Sequence, residues 1–316
     1  MGNQNKKTSI GGQALIEGVM MRGPQITAMA VRHVSGEIVK EQWETSGQKK
    51  AAIWRVPLIR GVYNMIDSLR GGYKCLMRSV ELSGWEEEAK PAEQDEAKKS
   101  GFWEKYAMPL VMVVSTVLGV ALALGLFMYL PIFLYNLVAG AIDKDLLDNR
   151  LVRSLCEGVL RIVIFVGYLS AVSLMKDMRR VFMYHGAEHK TIFCYEHGNE
   201  LTVENVRKEC RFHPRCGTSF MILMLIVGVF ISMLIPITTP VLRTVIKLLT
   251  LPFVVGIGYE LIKLAGRKDN WFTRAISKPG MWVQRLTTRE PDDQMIECAI
   301  EALLPTIPED QKQDQW

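Results

Sequence analysis

Long uncharged stretches in the middle of the chain predict helices that cross a membrane. The first runs from Pro109 to Ile142 and contains no charged residue. It exceeds the roughly 20 apolar residues that a helix needs to cross the hydrocarbon core of a bilayer. We therefore predict a first span over residues 110–130, with Pro131 close to its end.

A second span follows from a shorter uncharged run. Ile162–Met175 reaches spanning length if the helix begins near Leu151. Such a helix carries Arg153, Glu157 and Arg161 at positions i, i+4 and i+8, where they can pair along one face. Charge within a span indicates a function such as transport by default. Because these residues lie near one helix end, we favour pairing at the membrane interface.

Two more spans complete the predicted membrane domain. The third covers 217–242 and is uncharged over most of its length. The fourth covers 241–264 and contains Arg243, Lys247 and a kink at Pro252. The pattern therefore predicts four spans in total.

Lysine and arginine residues concentrate on flanks that share one side of the membrane. They precede the first and third spans and follow the second and fourth, within 98–105, 207–215, 176–180 and 263–268. Cytoplasmic flanks carry the excess of these residues. We therefore predict a multi-pass protein of the inner (plasma) membrane with both termini in the cytoplasm. The N-terminus lacks the apolar core of a signal peptide.

The polar regions give the domain organisation. Residues 1–83 combine a strand pair, Ala28–His33 and Glu37–Trp43, with helical periodicity over 59–82. The predicted fold is a membrane protein of four transmembrane α-helices, with a small N-terminal cytosolic α+β domain and a cytosolic helical hairpin between spans two and three. The boundaries are 1–83 for the α+β domain, 84–105 for a charged linker, 106–266 for the membrane domain including the 176–217 hairpin, 267–304 for an amphipathic cytosolic region, and 305–316 for a solvated tail.

A His-x-x-Glu-His cluster, HGAEH, lies just beyond the second span. Apolar residues and both histidines recur at steps of four and three over 178–196, as on one face of a helix that continues out of the span. Positions i and i+4 of a helix face the same way, so His185 and His189 can hold one metal ion with Glu188 beside them. This spacing is that of the inverted zinc-protease motif.

Two histidines cannot complete a zinc site, so the chain that returns to the membrane must supply a third ligand. In one hypothesis, His213 joins His185 and His189 in a catalytic site. In another, a closed structural zinc site combines Cys194 and His197 with two of Cys210, His213 and Cys216. The secondary candidate ligands are Cys216, Glu196, Glu200, Glu204 and Cys194. Without a metal, these residues serve packing or form a reactive thiol.

Composition narrows the functional classes. The chain is 49% hydrophobic, which is high for a soluble protein and agrees with the predicted spans. Its net charge of +5 lies mostly at the membrane flanks, which suits anionic lipid headgroups better than nucleic acid. Six cysteines in a chain that mostly faces the cytoplasm indicate metal binding or burial instead of disulfides. The five histidines are too few for the histidine boxes of a di-iron oxygenase.

Three strings carry a resemblance to a known family: IGGQALIEGVMMRGP, HGAEHKTIFCYEHGNELTVENV with HPRCGTSF, and LTTREPDD. They resemble the signature of the YqhQ-like bacterial membrane proteins, whose function is unknown and for which metal dependence has been suggested. The resemblance implies motif positions for His185, Glu188, His189, Glu196, Glu204, Asn205, His213, Arg215 and Cys216. Cys210 and His197 lie outside it, which counts against the structural zinc site. The acidic residues of LTTREPDD also suit the start of a final helix, 291–303.

The leading hypothesis is a membrane protein that performs hydrolysis at the inner membrane surface with a divalent metal ion, zinc, bound on the cytosolic side. His185, His189 and His213 are the expected ligands, and Glu188 is the expected base. Arg215 is expected to stabilise developing negative charge. The alternative hypothesis is a non-enzymatic assembly or regulatory factor with a structural metal site. The expected partners are the lipid bilayer and a membrane protein or peptide, with no nucleic acid.

Overall fold

The computed structural model describes residues 7–45, 54, 56–85, 108–142, 149–267, 270–310 and 313–314. Most of the predicted linker 84–105 lies outside these residues. The chain forms two compact units, one within 1–86, 168–224 and 255–316 and the other within 87–167 and 225–254. The first unit holds a sheet and the histidines of HGAEH, and the second consists of apolar helices where it is described.

The first unit opens with a four-stranded antiparallel sheet whose strands lie in chain order. The strands are β1 (Gly11–Leu15), β2 (Gly18–Arg22), β3 (Ile26–Arg32) and β4 (Ile38–Glu44). The predicted strand pair is confirmed as β3 and β4. Sequence reasoning missed β1 and β2. The core residues of β2 are buried on both of its faces, so it lacks the alternation of apolar and polar positions that marks a half-buried strand.

The helices occupy most of the remaining chain. They are α1 (Ile59–Ser83), α2 (Met108–Leu124), α3 (Leu130–Ile142), α4 (Arg150–Val172), α5 (Lys176–Glu196), α6 (Val203–Lys208), α7 (Gly217–Met233), α8 (Pro240–Arg267), α9 (Trp271–Thr287) and α10 (Asp293–Leu303). Residues 201–206 predict a short helix with Thr202 as its cap. This helix is confirmed as α6, because the Thr202 side chain accepts a hydrogen bond from Asn205 N–H. The final helix is also confirmed, as α10 with Asp292 at its N-cap.

Helices cover both faces of the sheet. On one face, Val19 and Met21 share a core with side chains of α5 and α10, including Ile296. On the other face, Met20 and Met29 pack against α1. One face of the sheet is therefore covered by the next helix in the sequence, and the other face by two helices that come much later.

The turn between β1 and β2 fixes α5 to the sheet. Glu17 lies in this turn with a φ of 53° and is buried. Its carboxylate accepts hydrogen bonds from the Arg180 guanidinium, at 2.6 Å for one pair, and from the Tyr184 hydroxyl at 3.2 Å. Because the buried charge is paired and hydrogen-bonded, its burial is tolerated. The glycine-rich N-terminal string thus contributes an anchor for the helix that carries HGAEH.

Three helical segments are long and apolar enough to cross a membrane: Val113–Ala141, Arg150–Val172 and Pro240–Gly266. They correspond to the first, second and fourth predicted spans. The helix at the third predicted span, Gly217–Met233, has 17 residues. That length is short of the roughly 20 residues of a full crossing. The chain therefore suits a lipid bilayer with three candidate spans, and a fourth span stays a prediction.

The first apolar helix does not end at Pro131, so the predicted end is wrong. A π-helical turn, Gly125–Tyr129, leads directly from α2 into α3. Proline lacks the N–H group that would bond the carbonyl four residues earlier, which is that of Phe127. Arg161 Nε donates to this carbonyl instead, at 2.8 Å. The widened turn and the guanidinium together satisfy the backbone and let the helix continue.

The helix with the HGAEH motif is separate from the second apolar helix, so the prediction of one continuous helix is wrong. α4 ends at Val172, and Met175 has an extended backbone with ψ of 132° before α5 begins. Ser173 Oγ donates to Ser170 O at 2.8 Å, a local bond that competes with helical hydrogen bonding. The break contains no glycine or proline, which explains why periodicity alone missed it.

The end of the chain is packed where the structure describes it, unlike the solvated tail that we predict from composition. Asp314 is fully buried. Its carboxylate accepts hydrogen bonds from Thr8 Oγ1 at 2.5 Å, Ser9 N–H at 2.9 Å and the Tyr195 hydroxyl at 2.8 Å. Asp314 therefore connects this segment to the N-terminal residues and to α5 within the first unit.

Candidate metal centre

Two histidines and a cysteine converge in the first unit. His185 and His189 lie one turn apart on α5, and Cys216 directly precedes α7. One ligand atom from each residue lies within 4.8 Å of the other two, and His185 Nε2 is 3.2 Å from Cys216 Sγ. We call these three residues the His–Cys cluster. The i, i+4 spacing brings the imidazoles together, and the chain that returns to α7 adds the thiol.

Main-chain carbonyls orient both imidazoles. His185 Nδ1 donates to Thr287 O at 2.8 Å, and His189 Nδ1 donates to Arg211 O at 2.6 Å. The Nε2 atoms of the two rings are thereby left for the Cys216 sulfur or for a metal ion. Carbonyl partners of this kind fix the tautomer and the orientation of metal-binding histidines.

The two imidazoles lie close enough to Cys216 to change the pKa of its thiol. Burial alone would raise the pKa of the Cys216 thiol, but the two imidazoles lower this pKa well below its ordinary value. Burial would also lower the pKa of His185, yet the adjacent thiolate raises it to about 9. Thr218 N–H lies 3.5 Å from the sulfur. The two imidazoles therefore favour the thiolate, which is the form of cysteine that binds metals.

Glu188 lies between the two histidines in the sequence and is 5% exposed. Its Oε2 atom has no hydrogen-bond partner in the described part of the chain. Burial raises the pKa of Glu188, although the neighbouring imidazoles and a hydrogen bond from Gly12 N–H oppose this rise. A β-carbon at position 12 would lie 2.9 Å from Glu188 Cδ, so β1 approaches the carboxylate at a glycine.

The LTTREPDD string supports α5 from a further direction. A β-carbon at Gly186 would collide with the carbonyl oxygen of Arg289, so this approach also needs a glycine. Arg289 N–H donates to Phe182 O at 2.8 Å, and Thr287 O holds His185. The string therefore positions a histidine through its backbone, while its acidic residue Asp292 caps α10.

The residues present fit a divalent metal ion. Two imidazole nitrogens and one thiolate are ligands that zinc prefers, and three protein ligands are the number found in catalytic zinc sites. The Nδ1 hydrogen bonds to carbonyls match the outer contacts of such sites. A buried carboxylate oxygen without a partner, as at Glu188, is unusual in a folded protein and indicates a group that is paired in another state.

His213 and Arg215 belong to a neighbouring network. His213 Nε2 lies 3.5 Å from Glu196 Oε2, and Arg215 pairs with Glu196 and donates to Thr8 O at 3.2 Å. Burial lowers the pKa of His213 to about 4, although Glu196 opposes this shift. The structure thus groups Cys216 with His185 and His189. The His213 ring lies beside that of His189, with 5.6 Å between their centroids, but its Nε2 atom faces Glu196. The structure places the expected charge stabiliser Arg215 on Glu196.

The other candidate ligands lie apart from one another. Cys194 is buried 3.4 Å from Glu200 O, and burial raises the pKa of its thiol to about 11. His197 pairs with Glu209 at 2.9 Å. Three further candidates are exposed: Glu200, Glu204 and Cys210. Among the residues that the structure describes, Cys194 and His197 join no group of three metal ligands.

The fold and the site define a class of protein in which apolar, bilayer-suited helices accompany a buried His–Cys cluster. The profile of the family described as "Protein of unknown function (DUF1385)" matches residues 56–309. The uncharacterized protein YqhQ of Bacillus subtilis (strain 168) is 34% identical over 295 residues, which cover 92% of this chain and 90% of that relative. The chain belongs to this family, as the sequence strings predict. No solved structure matches it.

Proposed function

We propose that the chain is a metal-dependent hydrolase that works at the cytoplasmic surface of the plasma membrane. The observation that carries the proposal is the buried, unpartnered Oε2 of Glu188 next to the His–Cys cluster. A structural zinc site is closed by four protein ligands, whereas a catalytic site has three and keeps one position open. Three ligands beside a carboxylate correspond to the catalytic arrangement.

Each residue would have a defined part. His185, His189 and Cys216 would hold the ion, and the carbonyls of Thr287 and Arg211 would keep both rings in place. When bound, zinc supplies a Lewis acid and lowers the pKa of water. Glu188 would accept a proton, and its raised pKa brings it closer to the neutral range in which a general base is most effective.

The apolar helices support an action at the bilayer. The unit that contains the His–Cys cluster also contains the ends of α4 and α8, from Tyr168 and Val255 onwards. Substrate in or next to the membrane would therefore lie within reach of the same unit. The cytoplasmic side is favoured by the lysines and arginines that flank these helices.

Metal analysis of purified variants tests the ligand set. We expect wild-type protein to retain about one zinc ion per chain, and Cys216→Ala and His185→Ala to lose it. His213→Ala should keep the ion, because His213 bonds with Glu196 instead. His33→Ala is the matched control for removal of a histidine, since His33 bonds with Ser35 far from HGAEH in the sequence. Metal-free wild-type protein, or loss of the ion in His213→Ala alone, would contradict the proposal.

A second measurement separates catalysis from metal binding. Glu188→Gln should retain the zinc ion and lose hydrolysis of a panel of fluorogenic amide and ester substrates. Glutamine has nearly the same volume as glutamate, so we expect the variant to fold. Retention of the zinc ion shows that it has done so. Equal hydrolysis by the wild type and Glu188→Gln would exclude Glu188 as the base.

Burial of the cluster favours a second candidate function. His189 is 1% exposed and Cys216 is 9% exposed, which restricts the access of a substrate. In this alternative the ion stabilises a membrane-anchored assembly or regulatory factor. Glu188→Gln would then leave function unchanged in cells, and the zinc ion would resist exchange with added metal.

A further inference from the structure

The second unit buries a set of charged side chains among its apolar helices. Arg243 on α8 is fully buried and donates to Glu157 on α4 at 3.1 Å, to Ser154 Oγ at 3.1 Å and to Ile235 O at 3.0 Å. Lys247 also pairs with Glu157. We call the following residues the membrane charge cluster: Arg153, Glu157, Arg161, Arg243 and Lys247.

Positive charge exceeds negative charge in this cluster. Four of its members are cations, and Glu157 is the single acidic residue among residues 108–142, 149–167 and 225–254. Its carboxylate is shared by Arg243 and Lys247. A charge away from water is costly unless it is paired. A further anion would reduce this cost.

The guanidinium of Arg161 has a buried N–H donor without a hydrogen-bond partner among the described residues. Its Nε donates to Phe127 O at 2.8 Å, within the π-helical turn that precedes Pro131. Its Nη2 is buried and has no hydrogen-bond partner among the described residues. Arg161 is 8% exposed. The side chain therefore points inward with an unused donor.

We expect Arg161 near one end of its helix, but the structure places it in the middle of α4. It lies eleven residues after Arg150, where α4 begins. This separation corresponds to about 16 Å of helix axis, close to half of the roughly 30 Å hydrocarbon core. Pairing at the membrane interface therefore does not account for it. Gly228 faces the same guanidinium, because a β-carbon there would lie 3.8 Å from Arg161 Nη1.

We infer that Arg161 forms the centre of an intramembrane binding site for a small oxyanion, a carboxylate or a phosphate group. A guanidinium presents its N–H donors in a planar fork that matches both groups. The Arg161 guanidinium supplies the charge complement, and Gly228 places no side chain beside the fork. The ligand chemistry is shared by soluble anions and by the phosphate of a lipid headgroup.

Thermal unfolding of the full chain in phosphatidylcholine nanodiscs tests the inference. Sodium phosphate and sodium acetate are titrated against sodium chloride at matched ionic strength. We expect a saturable rise in Tm with phosphate or acetate that chloride does not reproduce. Arg161→Gln should abolish the rise, and Arg150→Gln, which removes an exposed charge from the same helix, should keep it.

Gly228→Leu is a second variant that retains Arg161. It should weaken the apparent anion affinity at least tenfold, because the side chain fills the space beside the guanidinium. Nanodiscs with phosphatidylglycerol distinguish the sources: a lipid headgroup in the site would raise Tm without added phosphate, again only when Arg161 is present. Equal rises with chloride and phosphate, no rise with any anion or lipid, or an unchanged response in Arg161→Gln would overturn the inference.

Discussion

The His–Cys cluster and the membrane charge cluster are both buried, yet their polar groups are satisfied in opposite ways. In the first, backbone carbonyls and amides hold two imidazoles and a thiolate, and the unpartnered atom is the acceptor Oε2 of Glu188. In the second, one carboxylate is shared between two of four cations, and the unpartnered atom is the donor Nη2 of Arg161. An unused acceptor suits a cation with its water, and an unused donor suits an anion.

The largest effect is expected from loss of the carboxylate in the membrane charge cluster. Glu157→Gln leaves Arg243 and Lys247 buried without their ion-pair partner. Removal of one partner of a buried pair costs about 3–5 kcal/mol of unfolding free energy. Denaturant unfolding in nanodiscs measures this change, with Ser154→Ala as a control that removes one hydrogen bond to Arg243, about 1 kcal/mol. A loss of unfolding free energy as small as that of the control would contradict a stabilising role for the ion pairs of Glu157.

Removal of metal should affect the His–Cys cluster alone. A ligand at one hundred times its Kd stabilises the native state by about 2.7 kcal/mol. A chelator should therefore lower the Tm of the wild type and of Arg161→Gln by the same amount. It should leave Cys216→Ala unchanged. A chelator effect that persists in Cys216→Ala would place the metal elsewhere.

A smaller effect is expected where the LTTREPDD backbone approaches α5. Gly186→Ala inserts a β-carbon against the Arg289 carbonyl. Overpacking of this kind costs about 1–3 kcal/mol, and displacement of Thr287 should also weaken zinc binding. Gly71→Ala is the matched control, because its β-carbon meets no atom within 4 Å and it lies within α1. That control should stabilise the protein by about 0.4–1 kcal/mol. Similar Tm values for the two variants would contradict the close approach.

The smallest change in unfolding free energy is expected for an ion pair at the surface, which serves as the reference for the buried clusters. Lys40 and Glu301 lie 2.8 Å apart with side chains 56% and 37% exposed. Water screens such a pair, so Lys40→Gln should change the unfolding free energy by less than about 1 kcal/mol. Equilibrium unfolding in low and high salt measures it. A loss comparable to that of Glu157→Gln would mean that burial does not set the difference.

Local patterns predict much of this molecule. The strand pair β3–β4, the Thr202 cap and the shared face of His185 and His189 each depend on residues within a few positions of one another. Long apolar runs predict four spans, and three of them match candidate spans. The continuation of the first helix through Pro131 involves a hydrogen bond from Arg161 on another helix, which no local pattern contains.

The remainder depends on contacts that no short pattern contains. Cys216 and His213 are three residues apart, and only the fold decides which one forms a group of three ligand atoms with the two imidazoles. The carbonyls of Thr287 and Arg211 leave no mark in a sequence, because every residue has a carbonyl. The glycines at 12 and 186 were the available signal, since a close approach of backbone needs a position without a side chain.

The dependence of the sheet on α10 has a consequence for the order of synthesis. Val19 and Met21 are translated long before Ile296, which completes their core. At 5–20 residues per second, the ribosome needs roughly 14–55 s to make the intervening chain. The apolar face of β2 therefore lacks the cover of α10 while the helices between them are synthesised. During that interval this strand needs another apolar surface, such as that of a chaperone, to keep the face from water.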